Sequence, residues 1–376
     1  MSLRKALRCF ISSCFIFIAI VVHAQSGGIL KPGFNAKECD EMLQLNFAFL
    51  DTTKNNRFEN FAHGFRFLYR SEQIGLDNQW DLWMRDDSVV TIVLRGTTAN
   101  PKSILADFYA AMFSAQSSIT IPEKDTITYK LANDPKAAVH AGFLTAFAFL
   151  SRDMQPKIDS LYKIGYHNFL VTGHSQGGSL CYFVSSWLLH LKAADVYPGI
   201  VVKTYASAPT KVGNMYFAYD YDNLTRSEWT FSIINSADAV PELPFTVQQV
   251  EGDINEPNPI MALYKRIDAL PFFKRIILKC AFNKMRNGAK KSSKAYQKYL
   301  GGYSEKFIKD MLPGLELPKA VNTTYFIRPG VPIILVPNNS YYKRFEVNDG
   351  PYYHHGILPY RFLLREYYEG LPEIKQ

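Results

Sequence analysis

Apolar positions along the chain change their period repeatedly, and each change marks an element. Residues 36–50 place apolar side chains at helical spacing behind an acidic first half, which predicts a helix. Residues 80–84 and 89–94 are β-branched and aromatic runs separated only by Arg85-Asp86-Asp87-Ser88, the pattern of a hairpin. Beyond Arg95-Gly96-Thr97-Thr98 a helix-like stretch covers 104–113. Residues 143–162 predict a longer helix, 168–172 a buried strand, and the run to about Lys192 another helix. Further buried strands fall at 200–206 and 229–234, each ending in loops rich in Ser, Asn, Asp or Pro. Residues 323–328 and 331–336, joined through Pro329-Gly330, read as a hairpin, and 357–368 as a closing helix. Strands alternating with helices predict an α/β fold, its mostly parallel central sheet flanked by helices and its reactive residues at the carboxyl ends of strands.

The pattern changes between 246 and 320, where a loop gives way to a basic amphipathic helix, the Lys290-Lys291-Ser292-Ser293-Lys294 tract and another helix. This stretch reads as an insertion or cap within one domain spanning 25–376. The formal charge of the chain is +8, but 264–320 alone hold 14 Lys/Arg against four acidic residues. Basicity therefore belongs to that segment and not to the fold. No recognised nucleic-acid motif accompanies it. Arg4, Lys5 and Arg8, an apolar run over 9–22 and Val22-His23-Ala24 predict a secretory signal peptide over 1–24, hence export to a periplasm or the exterior.

Of five cysteines, Cys9 and Cys14 fall in that leader. Cys181 reads as a small buried hydrophobe, and a Cys39–Cys280 bridge stays open. No Cys/His spacing suggests zinc, and no phosphate-cradling loop appears, so neither a metal nor a cofactor is implied.

The chemistry concentrates at Gly173-His174-Ser175-Gln176-Gly177, set between an apolar strand and an apolar helix. That context gives a G-x-S-x-G pentapeptide its meaning as a nucleophile elbow, with Ser175 the nucleophile. A serine alcohol needs a base, and the base needs an orienting acid. In such folds the order along the chain is serine, acid, histidine. Only His354 and His355 follow a suitable acid, and Asp238 sits just past the strand 229–234, with Glu242 and Asp253 as alternatives. The amide of Gln176, at the start of the helix after the serine, is one oxyanion donor.

Five blocks together resemble the class 3 lipases, the fungal-lipase-like branch of the α/β-hydrolases. They are Val93-Leu94-Arg95-Gly96-Thr97, Val139-His140-Ala141-Gly142-Phe143, the serine pentapeptide with Gly178, Thr204 to Pro209 with Val212-Gly213-Asn214, and Asn235-Ser236-Ala237-Asp238-Ala239-Val240-Pro241. The resemblance implies Ser175 as nucleophile, Asp238 as triad acid and Thr97 as the second oxyanion residue. It also implies that Asp107 braces the Thr97 loop. A histidine followed five residues later by an aromatic matches His355 and Tyr360, making His355 the general base and His354 the alternative. The family's short lid helix after the Arg-Gly-Thr block corresponds to 98–115, although Ile104 stands where an aromatic is common.

The function expected is an exported serine ester hydrolase, a lipase cleaving acylglycerols through an acyl-serine. Phospholipase A1 and carboxylesterase are rival activities. A non-catalytic binding protein on a hydrolase scaffold is the rival of another class. The partner expected is a lipid or other ester substrate, with peripheral contact to an anionic membrane through the basic insertion.

Overall fold

Strands that read as continuous apolar runs are covered on both faces, which is why their side chains do not alternate. The computed structural model describes residues 30–50, 63–122, 125–345, 350 and 352–371; the leader expected over 1–24 lies outside them. In chain order the elements are α1 (Ala36–Leu50), β1 (Phe65–Arg70), β2 (Trp80–Arg85), β3 (Val90–Leu94), α2 (Pro101–Phe108), β4 (Met112–Ser114), β5 (Gln116–Thr120) and β6 (Thr126–Lys130). They continue with β7 (Ala138–His140), α3 (Ala141–Lys163), β8 (Asn168–His174), α4 (Gln176–Ala193), β9 (Val201–Ser207), α5 (Met215–Thr225) and β10 (Thr230–Asn235). The last are α6 (Pro259–Arg266), α7 (Phe272–Tyr296), α8 (Tyr303–Met311), β11 (Val331–Leu335), α9 (Asn339–Arg344) and α10 (Ile357–Tyr367).

Seven strands form the main sheet in the order β1-β2-β3-β8-β9-β10-β11. Strands β3, β8, β9, β10 and β11 run parallel, and β1 and β2 add an antiparallel edge. Helices α3 and α4 pack Phe143, Phe147, Phe183 and Leu188 into the core on one face. On the other, α1 and α10 contribute Leu43, Phe49, Leu363 and Leu364. This is an α/β-hydrolase architecture. A two-pronged ion pair between Arg361 and Asp40, at 2.8 and 3.0 Å and almost fully buried, locks α10 to α1. Removing either partner would leave a buried charge, at a cost of about 3–5 kcal/mol. The pair matters to the site because α10 begins two residues after His355.

Three expectations are corrected. The helix expected over 104–113 instead starts at Pro101, where the Asn100 side chain accepts from the Lys102 N–H at 3.0 Å, and stops at Phe108. Asn-Pro is an N-cap followed by the one position where proline suits a helix, a signal that outranks apolar spacing. Residues 109–113 then plunge into the core, with Tyr109 and Phe113 fully buried. The hairpin expected across Pro329-Gly330 does not form. Strand β11 runs parallel to β10, while Thr324 and Ile327 bond back to Val247 and Gly213. Turn chemistry was legible there, but a vacant sheet edge won the pairing. Lastly, Cys39 is a buried free thiol in the core and Cys280 an exposed one on α7, so the bridge left open is not made.

Candidate active site

Strand β8 delivers the serine. Ser175 lies between β8 and α4 with φ 61° and ψ −126°, a backbone conformation that costs a non-glycine residue about 1–3 kcal/mol. The neighbours enforce it. A Cβ on Gly177 would sit 2.1 Å from the Leu94 carbonyl oxygen, and one on Gly173 2.3 Å from the Gly177 backbone. The Ser175 N–H donates to the Ser207 carbonyl at 2.9 Å, and its own carbonyl accepts from the Ser179 N–H at 3.0 Å. The strained turn is thus pinned from both sides, with the side chain partly open to solvent.

The expected acid and base come from segments far apart in the chain. Asp238 follows β10 and is nearly buried, and the His355 ring, 15% exposed, places Nδ1 2.7 Å from Asp238 Oδ2. The Tyr360 hydroxyl donates to the same oxygen at 2.6 Å, and the Val240 N–H donates to Oδ1 at 2.9 Å. Burial works to raise the Asp238 pKa, but the His355 hydrogen bond and charge, with Tyr360 and Val240, outweigh it and hold the carboxyl below its usual value. Asp238 is therefore ionised at neutral pH and fixes the ring by Nδ1, leaving Nε2 free to act as a base. His355 lies next to the serine's neighbour, its ring 4.8 Å from that of His174. Ser175 Oγ and His355 share no hydrogen bond in this conformation. Such bonds are often long before substrate binds.

The alternatives go elsewhere. His354 Nδ1 meets the Tyr341 hydroxyl at 2.7 Å. Asp253, in the inserted segment, caps the Gln249 N–H and accepts from the Thr323 hydroxyl, and Glu242 is exposed.

Around the expected oxyanion pocket, Asp107 near the end of α2 binds both candidates. Its Oδ2 accepts from Thr97 Oγ1 at 2.8 Å and its Oδ1 from Gln176 Nε2 at 2.8 Å. Burial pushes the Asp107 pKa up to about 6, against the pull of the Gln176 and Thr97 hydrogen bonds. The Gln176 side chain is held further by Ser103 and Asn78. Among the described residues no group of three or more His, Cys, Asp or Glu is placed to hold a metal ion.

Residues 91–248 match the family model described as lipase (class 3). Over those residues the chain is similar to the class 3 lipases. No curated protein sequence matches it. Among solved structures it is similar to lipase II from Rhizopus niveus, at 18% identity over 56% of this chain and 75% of that one, with a TM-score of 0.41. It is also similar to the lipase of Rhizopus microsporus var. chinensis, at 17% identity over 58% and 74%, with a TM-score of 0.42. The triacylglyceride lipase of Rhizomucor miehei is 19% identical over 57% and 77%, with a TM-score of 0.38.

Two further features of this chain bear on the site. His174, inside the pentapeptide, accepts at Nδ1 from the Ser207 hydroxyl at 2.9 Å. Its Nε2 lies 2.6 Å from the His355 carbonyl oxygen, so the ring carries its proton there and donates. Burial first, and the His355 charge beside it, push the His174 pKa down to about 3. It is a neutral strut between the serine turn and the histidine loop. Only its place beside Ser175 could have drawn attention to it. The second feature is the stretch expected as a lid: of its apolar residues, Ile104 and Phe108 on α2 face solvent, whereas Tyr109, Met112 and Phe113 are core.

Proposed function

We propose that this chain is a serine ester hydrolase of lipids, a lipase cleaving acylglycerol esters through an acyl-enzyme. Ser175 Oγ attacks the ester carbonyl while His355 Nε2 takes its proton and then returns it to the leaving alcohol. Asp238 orients the ring and stabilises its charged form. The Thr97 and Gln176 amides hold the developing oxyanion, with Asp107 bracing both residues. Water activated by His355 then releases the fatty acid and restores the serine.

The single observation that supports this reading is the 2.7 Å Asp238–His355 pair between residues 117 apart in the chain, with the His355 ring 4.8 Å from that of His174, the residue before the strained Ser175. The resemblance of the leader to a signal peptide supports export, and the charge of 246–320 supports a lipid surface, an anionic one, as partner. Among the described residues no helix is long and apolar enough to cross a membrane. Residues 246–320 are on this reading an insertion in the hydrolase domain.

A fluorophosphonate probe tests the proposal. It should label the wild-type chain and not Ser175→Ala, and labelling of both or of neither would overturn the assignment. Turnover of monomeric short-chain esters, emulsified triacylglycerol and phospholipid vesicles then separates lipase from carboxylesterase and phospholipase A1. A lipase gains activity when its substrate forms an interface.

A further inference from the structure

Helices α6 and α7 form a pair that stands largely free of the hydrolase body. Of the 25 residues of α7, only Ser293 and Tyr296 at its far end are buried. Along α6 none is. The two helices hold each other through the Tyr264 and Phe282 rings, 4.5 Å apart, and an ion pair from Lys279 to Asp268. Arg286 and Lys290 reach Glu251 at the root.

On the opposite side of α7 from Phe282, at helical spacing, Phe273, Ile276, Ile277 and Cys280 form an apolar stripe. Phe273 is 79% and Ile277 67% exposed, and Phe272, Leu263 and Leu270 extend the patch around the tip. A soluble protein rarely leaves so much contiguous apolar surface unpartnered. Around the stripe the charge has one sign. Between Pro259 and Tyr296 there are ten Lys/Arg and a single acid, Asp268, already paired. Lys284 and Lys291 continue the stripe itself toward the body.

We propose that this helical pair is a docking device for an anionic lipid bilayer, its apolar tip inserted among the acyl chains and its lysines and arginines at the headgroups. Charge complementarity chooses the occupant. A second copy would bring the same dense positive charge against itself, whereas an anionic headgroup layer neutralises it and offers the apolar side chains a place to go. The shape agrees, because the patch is a protruding ridge and not a groove that would receive a peptide.

The root of the segment ties docking to the serine. Residues 243–245 follow Asp238 closely, Phe245 packs on Tyr296, and α8 packs on α2, the helix that carries Asp107. This last step rests on the lipase reading; the docking itself does not.

Sedimentation with vesicles tests it on the full chain. Wild type should bind phosphatidylcholine vesicles containing phosphatidylglycerol and not pure phosphatidylcholine, with binding weakened by salt. Phe273→Ser combined with Ile277→Ser should lower partitioning by about tenfold or more. Lys274→Gln with Lys284→Gln should lower it several-fold at low salt. Both double variants should keep wild-type kcat/KM on a soluble short-chain ester, which shows that they fold. A polarity-sensitive dye on Cys280 should shift to the blue on the anionic vesicles alone. Unchanged binding by the serine variant, equal binding to neutral vesicles, or a lipid-free dimer that the serine variant dissociates would each overturn the proposal. Vesicle binding without any soluble-ester turnover would instead sink the hydrolase reading and leave docking standing.

Discussion

Replacing Tyr360 by Phe removes one hydroxyl from the centre of the site and leaves the ring in place. That hydroxyl donates at 2.6 Å to Asp238 Oδ2, and both residues are buried, so no water takes over the bond. A hydrogen bond to a charged acceptor contributes about 1.5–3 kcal/mol. A loss near 2 kcal/mol corresponds to a fall in Tm of roughly 4 °C for a domain of a few hundred residues. The sign with pH distinguishes this bond from simple packing. Asp238 titrates below its ordinary 3.8 in the folded chain. Its contribution to stability is therefore full above the unfolded-state value and is lost as pH falls through the folded one. In Tyr360→Phe the folded pKa moves back up, so the stability gap between the two proteins should be full at pH 7 and shrink as pH falls through the depressed folded pKa of Asp238. Urea denaturation of both chains across that range measures it. A gap that keeps its pH 7 size down to the acid unfolding of the wild type would assign the loss to ring packing, and no gap at all would refute the donor role of Tyr360.

Asp107→Asn should lower kcat on a soluble ester by about 10–100-fold at little change in KM, because one of the two residues it braces loses its acceptor. The ratio of wild-type to variant kcat should be largest above pH 6, where the Asp107 carboxylate is ionised, and should narrow below it. Taking the ratio cancels titrations common to both proteins; a ratio flat with pH would contradict the brace. His174→Phe keeps an aromatic ring and removes both of its hydrogen bonds. A kcat loss of about tenfold with KM unchanged is the expected result, and a rise in KM alone would show that the strut positions substrate instead of His355.

Periodicity alone located the central strands and long helices, because a run buried on both faces has one reading as a strand at that length. The serine turn was equally legible, since a Cβ at Gly173 or Gly177 would fall 2.3 or 2.1 Å from neighbouring backbone, so only glycine fits. Order along the chain narrowed the acid and base candidates. The preference for His355 over His354 came only from the resemblance, through Tyr360 five residues on, and its physical reason lies elsewhere. The two rings are adjacent in sequence, and what separates them is that Tyr341 meets one and Asp238 the other. That reason is tertiary information, as are the His174 strut and the pairing that replaced the hairpin expected across Pro329-Gly330.

Residues 259–296 show the reverse case, where a sequence pattern keeps its ambiguity until burial is known. A basic amphipathic helix fits equally a cap whose apolar side packs on the core and a surface element whose apolar side waits for a partner. In a cap, Phe273, Ile276 and Ile277 would be covered by the hydrolase body. Instead the ring turned inward is Phe282, against Tyr264 of the neighbouring helix, and the three remain exposed. The packed part of the segment is its far end, where Tyr296 joins Phe326 and Met112 in a small core of its own. One segment thus divides its roles by position, anchoring through residues near 296 and presenting apolar surface near 273. A substitution at Tyr296 should accordingly unfold the root, while one at Phe273 should leave stability intact and change only what the tip can bind.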